Sequence, residues 1–253
     1  MALVLFEKIE AALRVTLNRE AALNAVSRAL LRELEEGLIL HGGDETIRSL
    51  VLCGQGGVFS AGADIKELAG FDEAGIRDFH ALRERAFALL EDFPAPTIAA
   101  IGRYALGTGL ELALCCDFRV AGLDAKLGVP SAKLGLVESY EYFSRLVRAV
   151  GPAWARKMVF TGERLDAETA LRIGLVEETS PPEQLPERVA SLQQRIHGHS
   201  PSAIRHTKRV IAACRRDPGL ALVKDRALPL VESTKSEDFR RATREFIEKR
   251  GKG

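Results

Sequence analysis

Ile47-Arg48-Ser49-Leu50-Val51-Leu52-Cys53-Gly54-Gln55-Gly56-Gly57-Val58-Phe59-Ser60-Ala61-Gly62-Ala63-Asp64-Ile65-Lys66-Glu67 runs from an apolar block into a loop of small residues. Leu50, Val51 and Leu52 follow one another without polar alternation, which reads as a strand covered on both faces, as in a parallel sheet flanked by helices. A second passage repeats the scheme. Thr97 to Ile101 is another buried strand, and it delivers the chain into Gly102-Arg103-Tyr104-Ala105-Leu106-Gly107-Thr108-Gly109-Leu110-Glu111-Leu112. Upstream, Leu3, Leu5, Ile9 and then Leu13, Val15, Leu17 read as two strands that reverse at Glu10 to Ala12. Ser27 to about Leu40 carries one helical stripe (Leu30, Leu31, Leu34, Leu38), and Ile76 to Asp92 is a second helix closed by Pro94 and Pro96. Leu110 to Cys116 is spaced as a helix, and Phe118 to Ala121 as a short strand. Strands alternating with helices to about residue 180 predict an α/β fold with parallel crossovers. From Pro182 onward no strand pattern is present, and helices are predicted to start at Pro182, Pro201, Pro218 and Ser236. A boundary is therefore expected near residue 195, between a core of residues 1–195 and a helical region of residues 196–253.

The 253 residues are 46% apolar, enough to exclude intrinsic disorder and to form a large core without a disulfide or metal staple. No apolar run reaches the ~18 residues of a membrane span. Met1 to Lys8 has no basic stretch ahead of its apolar residues, so no signal peptide is expected and a cytoplasmic location is. Cys53, Cys115, Cys116 and Cys214 form no C-x-x-C pair, and the adjacent Cys115 and Cys116 read as small buried hydrophobes. The five histidines are scattered, so no metal site is expected. Net charge is +1, which argues against a dedicated nucleic-acid binder. The charge is unevenly spread: residues 196–253 hold 14 Lys/Arg against 7 Asp/Glu, leaving 22 against 28 for residues 1–195. A basic tail on an acidic body can meet phosphates or a neighbouring subunit, or simply be solvated.

Common catalytic words are missing. Gly107-Thr108-Gly109 is not a dinucleotide fingerprint, because Leu112 stands where the third glycine belongs, and no Gly-Lys-Ser/Thr follows Gly54-Gln55-Gly56-Gly57. Neither G-x-S-x-G nor H-E-x-x-H occurs. What remains is the two glycine-bearing loops, each directly after a buried strand. Small residues there let backbone N–H groups approach a ligand closely, and a helix starting in the second loop aims its first donors at it. Two such loops can each give one donor to an oxygen that becomes negative during reaction; the alternative is two tight strand–helix turns.

Several words in order resemble the crotonase superfamily, the enoyl-CoA hydratase/isomerase family. They are Phe59-Ser60-Ala61-Gly62-Ala63-Asp64-Ile65-Lys66, Ala99-Ala100-Ile101-Gly102 leading to Tyr104-Ala105-Leu106-Gly107, and Glu111-Leu112-Ala113-Leu114-Cys115-Cys116-Asp117. Lys133-Leu134-Gly135-Leu136, Phe160-Thr161-Gly162-Glu163, Ala170 to Val176, Ser236 to Phe239 and Phe246 to Arg250 continue the match. The resemblance implies a spiral of ββα turns with a C-terminal helical trimerisation region, assembled as a homotrimer or homohexamer. It implies an acyl-CoA substrate, as in fatty-acid metabolism, with coenzyme A present only as part of the thioester and no separate cofactor. The N–H groups of Ala63 and Thr108 match the family's oxyanion hole. Threonine replaces the usual glycine at the second position, where its φ must stay negative or become strained. Ala61, Asp64, Ile65 and Lys66 match the segment that lines coenzyme A.

Hydration in the family uses two glutamates flanking one water. The first matches Glu111, a carboxylate inside an apolar helix, where burial is costly without a function or a partner. The second follows a proline in a G-x-P-E word; here the chain reads Gly128-Val129-Pro130-Ser131, and a serine cannot act as a carboxylate. Glu138, in the altered segment Gly135 to Phe143, falls where other branches place a catalytic aspartate or tyrosine, and it is the candidate replacement; otherwise it is a surface carboxylate at a loop–helix junction. Glu141, Tyr140 and Tyr142 are lesser candidates. The resemblance thus implies an enoyl-CoA hydratase-type lyase first, a double-bond isomerase second, and an acyl-CoA decarboxylase or C–C hydrolase third. A non-catalytic acyl-CoA binder is the alternative of a different class. RNA binding, known in one branch, would rest on Arg205, Lys208, Arg209, Arg215 and Arg216 alone.

Overall fold

Strands β1 (Val4–Ile9) and β2 (Ala12–Leu17) form an antiparallel hairpin that turns at Glu10 and Ala11. A computed structural model describes residues 2–250, apart from the side chains of Glu245, Phe246, Lys249 and Arg250. Helix α1 (Arg28–Gly42) starts at Ser27, whose hydroxyl accepts the Leu30 N–H, and buries Leu30, Leu31, Leu34 and Leu38 as its spacing predicts. Strand β3 (Ser49–Gly54) lies parallel to β2. The short α2 (Ile65–Leu68) and the long α3 (Glu73–Glu91) then lead to β4 (Thr97–Ile101), parallel to β3. Next come β5 (Tyr104–Leu106), α4 (Thr108–Leu114) and β6 (Phe118–Gly122), the last parallel to β4. They are followed by β7 (Lys126–Gly128), α5 (Tyr140–Thr161), β8 (Arg164–Asp166), α6 (Ala167–Arg172) and β9 (Glu178–Ser180), which pairs with β6.

The strands form a six-stranded sheet ordered β1-β2-β3-β4-β6-β9 and a three-stranded sheet ordered β5-β7-β8. This mixed α/β arrangement is a crotonase-type spiral, in which successive turns of chain add to the large sheet and then to the small one. The central strands β3, β4 and β6 of the large sheet are covered on both faces, as their unbroken apolar runs require. Leu50 and Leu52 face the main core with the α1 stripe, whereas Val51, Ile98 and Val120 face Val189 and Leu192 of α7 (Leu185–His197). Strands β5, β7 and β8 are three residues each, too short for periodicity to mark them, so β5 falls within what the sequence presents as a loop.

Helices α8 (Pro201–Arg216), α9 (Leu228–Lys235) and α10 (Glu237–Arg250) complete the chain. The helix expected at Pro218 is absent. The Asp217 carboxylate accepts the Leu222 N–H, and Leu220 has a φ of 53°, so Asp217-Pro218-Gly219-Leu220 turns instead of coiling. The basic residues of α8 meet the acidic body of their own chain. Lys208 pairs with Asp117, Arg215 with Glu91 and Arg216 with Asp92, while Arg205 donates to the carbonyls of Glu45 and Ile47. Four of the five cations that RNA binding would need are thus committed within the fold. No helix among the described residues is long and apolar enough to cross a membrane.

Candidate active site

The two glycine-bearing loops are stitched together by backbone hydrogen bonds. Ser60 donates its N–H to the Tyr104 carbonyl, and Leu106 donates to the Ser60 carbonyl. Gly62 and Gly109 make the approach possible. A Cβ on Gly62 would stand 2.8 Å from the Leu106 carbonyl oxygen, and one on Gly109 would stand 2.7 Å from the Ser60 Cβ. At the entry to α4 the left-handed φ, 49°, belongs to Gly107. Thr108 is the first helical residue, so its φ is negative and its β-branch is accommodated without backbone strain. Its N–H has no intrahelical acceptor at that position. Among the described residues the Ala63 N–H has no acceptor either. Both residues line one cavity of about 660 Å³.

Glu138 lines the same cavity, together with Leu68, Ile76 and Phe79 on the apolar side and His80 and Arg83 on the polar one. Residues of α3 around Ile76 and of segment 136–139 therefore shape its walls. Glu138 is not the surface carboxylate that its loop–helix position allows: its side chain is only 6% exposed. Burial pushes its carboxyl above the usual range, with the nearby Arg83 pulling the other way. Ser139 fixes the junction by accepting the Tyr142 N–H at the start of α5.

Glu111 lies deeper, fully buried on α4. Its Oε1 accepts from Arg145 Nη1 at 2.8 Å, whereas Oε2 is buried without a hydrogen-bond partner among the described residues. The Arg83 Nε stands 3.6 Å from that Oε2, and Arg83 Nη1 stands 4.0 Å from Glu138 Oε2. Burial is the main cause that pushes the Glu111 carboxyl up to about 7; Arg83 opposes it and the Glu84 and Glu138 charges add to it. The result is two carboxyls of raised basicity, Glu138 on the cavity wall and Glu111 buried outside the lining residues, together with two N–H donors that have no acceptor among the described residues. That arrangement can polarise a carbonyl oxygen and move protons to and from the adjacent carbons.

Other expected residues stand elsewhere. Asp64 caps α2 by accepting the Lys66 and Glu67 N–H groups, and it pairs with Arg19 at 2.6 Å, which holds its carboxyl below the usual range. Ala61, Asp64, Ile65 and Lys66 do not line the cavity, although they flank Ala63 in sequence. Ser131 is buried and away from the cavity wall. Tyr140 is exposed, and Glu141 faces His80 at 3.3 Å. Tyr142 is buried, its phenol kept neutral by burial and by the Glu138 and Glu111 charges, and it donates to the Gly107 carbonyl at 2.9 Å. It therefore braces the loop that leads into α4. Sequence reasoning missed Arg83 and Arg145. The available signal was an arginine on the apolar stripe of α3, between Phe79 and Phe87.

A family model described as enoyl-CoA hydratase/isomerase matches residues 7–252. The crotonyl-CoA hydratase of Syntrophomonas wolfei is 34% identical, over 98% of this chain and 95% of its own. The 2,3-dehydroadipyl-CoA hydratase of Escherichia coli is 39% identical, over 79% and 77%. Among solved structures, the enoyl-CoA hydratase of Bacillus anthracis superposes with a TM-score of 0.89 at 32% identity, covering 98% of this chain and 96% of that one. Pseudomonas aeruginosa DspI superposes with 0.91 at 34% identity, covering 98% and 95%.

Proposed function

The chain belongs to the enoyl-CoA hydratase/isomerase family, and we propose that it is a hydratase-type lyase that adds water to a 2-enoyl-CoA using Glu111 and Glu138. The observation that carries this reading is the shared cavity of Ala63, Thr108 and Glu138, whose lining residue Arg83 stands 3.6 Å from the orphaned Glu111 Oε2. In the reaction the thioester oxygen accepts from the Ala63 and Thr108 N–H groups, which stabilise the negative charge of the enolate. Water adds to the β-carbon and gives its proton to Glu111; Glu138 delivers a proton to the α-carbon. The carboxylate lost at Ser131 is thereby replaced from the neighbouring loop.

Two relatives named as hydratases support a hydratase-type activity. Coenzyme A enters only with the substrate, and Ala61, Asp64, Ile65 and Lys66 are assigned to its adenine and phosphates beside Ala63. The same reading has the enzyme working in the cytoplasm as a homotrimer or homohexamer, and the four free cysteines suit a reducing compartment.

Glu138→Gln tests the assignment. It should lower crotonyl-CoA turnover by about 10²–10⁴-fold, the span of a general acid or base, while acyl-CoA affinity stays within a few-fold. Adding Ser131→Glu should recover part of the rate. A turnover change under about threefold with intact binding removes Glu138 from the mechanism.

A further inference from the structure

Arg83 sits where an arginine is expensive. It occupies the buried face of α3 in line with Phe79, Leu82, Ala86 and Phe87, and its side chain is 8% exposed. Its one hydrogen bond among the described residues runs from Nε to Glu84 Oε1 at 3.3 Å. The approaches to Glu111 and Glu138, 3.6 and 4.0 Å, are too long for hydrogen bonds. Arg83 therefore does not orient either carboxylate by contact. Arg145 does that for Glu111, and it also holds Glu84 Oε2 at 3.0 Å and Glu91 Oε2 at 3.2 Å. What Arg83 supplies to Glu111 and Glu138 is charge, placed between them.

The charges around this point nearly balance. Glu84 and Glu91 come from α3, Glu111 from α4 and Glu138 from the loop before α5. Facing them are Arg83 from α3, Arg145 from α5 and Arg215 from α8, the last bound to Glu91 at 2.7 Å. Arg148 of α5 faces Glu91 and Arg215 from the outer side, and His80 of α3 lines the cavity beside Arg83 and Glu138. Tyr142 and Cys115, also packed here, are both held neutral, mainly by burial. Glu84, Glu91 and Glu111 each accept a direct hydrogen bond from an arginine, whereas Glu138 has none among the described residues. Arg83 stands nearest to Glu138 and to the unbonded Oε2 of Glu111.

We propose that Arg83 is a positioning residue whose charge, set between Glu111 and Glu138, holds down the proton affinity of both, so that the site keeps a base at neutral pH. This rests on the hydratase reading above, which needs that state at the start of every turnover. Without the Arg83 cation both carboxylates would bind protons more strongly, and at neutral pH the base would be lost.

The test is the pH profile of kcat/KM for crotonyl-CoA in the wild type, Arg83→Lys, Arg83→Gln and Glu84→Gln. Arg83→Gln should move both limbs of the bell to higher pH by about 1–3 units, the usual effect of an opposite charge within 4–6 Å. Arg83→Lys should return them towards wild type. Glu84→Gln, which removes a competing anion, should move them to lower pH. That opposite displacement carries the test even if Arg83→Gln fails to fold. Limbs that stay in place while the height of the profile falls would show a merely structural role and overturn the inference, leaving the hydratase reading intact. A folded wild type without enoyl-CoA turnover would overturn both.

Discussion

Glu111 shows how one buried residue couples chemistry to stability. With its carboxyl pushed up to about 7 from an ordinary 4.5, the folded chain retains a proton between those values that the unfolded chain has released. The folded state binds more protons there, so this group's contribution to stability falls as pH rises through the window. Glu111→Gln removes the effect. Relative to wild type, the variant should gain stability between pH 5 and pH 8, by up to about 3 kcal/mol, measured by urea unfolding at both pH values. A stability difference that is flat, or that declines with pH, would contradict the burial account. At this scale Glu111 was legible, because an acid among Leu110, Leu112, Ala113 and Leu114 is too costly to bury without a function or a partner. The burial of Glu138 was not. It depends on where the turn after Gly135 packs against α3, and short polar turns carry no periodic signal.

Elements with a strong period are legible in the sequence, α1 and strands β1, β2, β3, β4 and β6 of the large sheet among them, since their apolar positions are fixed by the faces they bury. Those set by contacts distant in sequence escape such a reading. The small-sheet strands exist because Ser60 and Lys126 meet the chain at residues 103–105, which no local pattern announces. At α9 the signal concerns what is left uncovered. Leu222, just before that helix, is 84% exposed, and Leu230 on it is 68% exposed, with Leu228 and Val231 also open. A run of exposed apolar side chains on a terminal helical segment is suited to another subunit's surface. Sedimentation should therefore give a mass of three or six chains at micromolar concentration. A monomer of 27.6 kDa would contradict this.

Across the whole molecule, the spiral brings two loops together in space although some forty residues separate them, and α8 closes over the acidic side of the same body through Lys208, Arg215 and Arg216. The opposed charges of tail and body, visible in the sequence, are thereby explained within one chain. The fold delivers the Ala63 and Thr108 donors, Glu138 and the apolar wall of Leu68, Ile76 and Phe79 to one cavity, and the account stands on that convergence being used to add water. The most direct measurement is to incubate the wild-type protein with crotonyl-CoA in oxygen-18 water and analyse the thioester product by mass spectrometry. The account predicts a 3-hydroxyacyl-CoA carrying oxygen-18 on its β-carbon. A product of unchanged mass with a displaced double bond, or unreacted thioester bound without turnover, would contradict it.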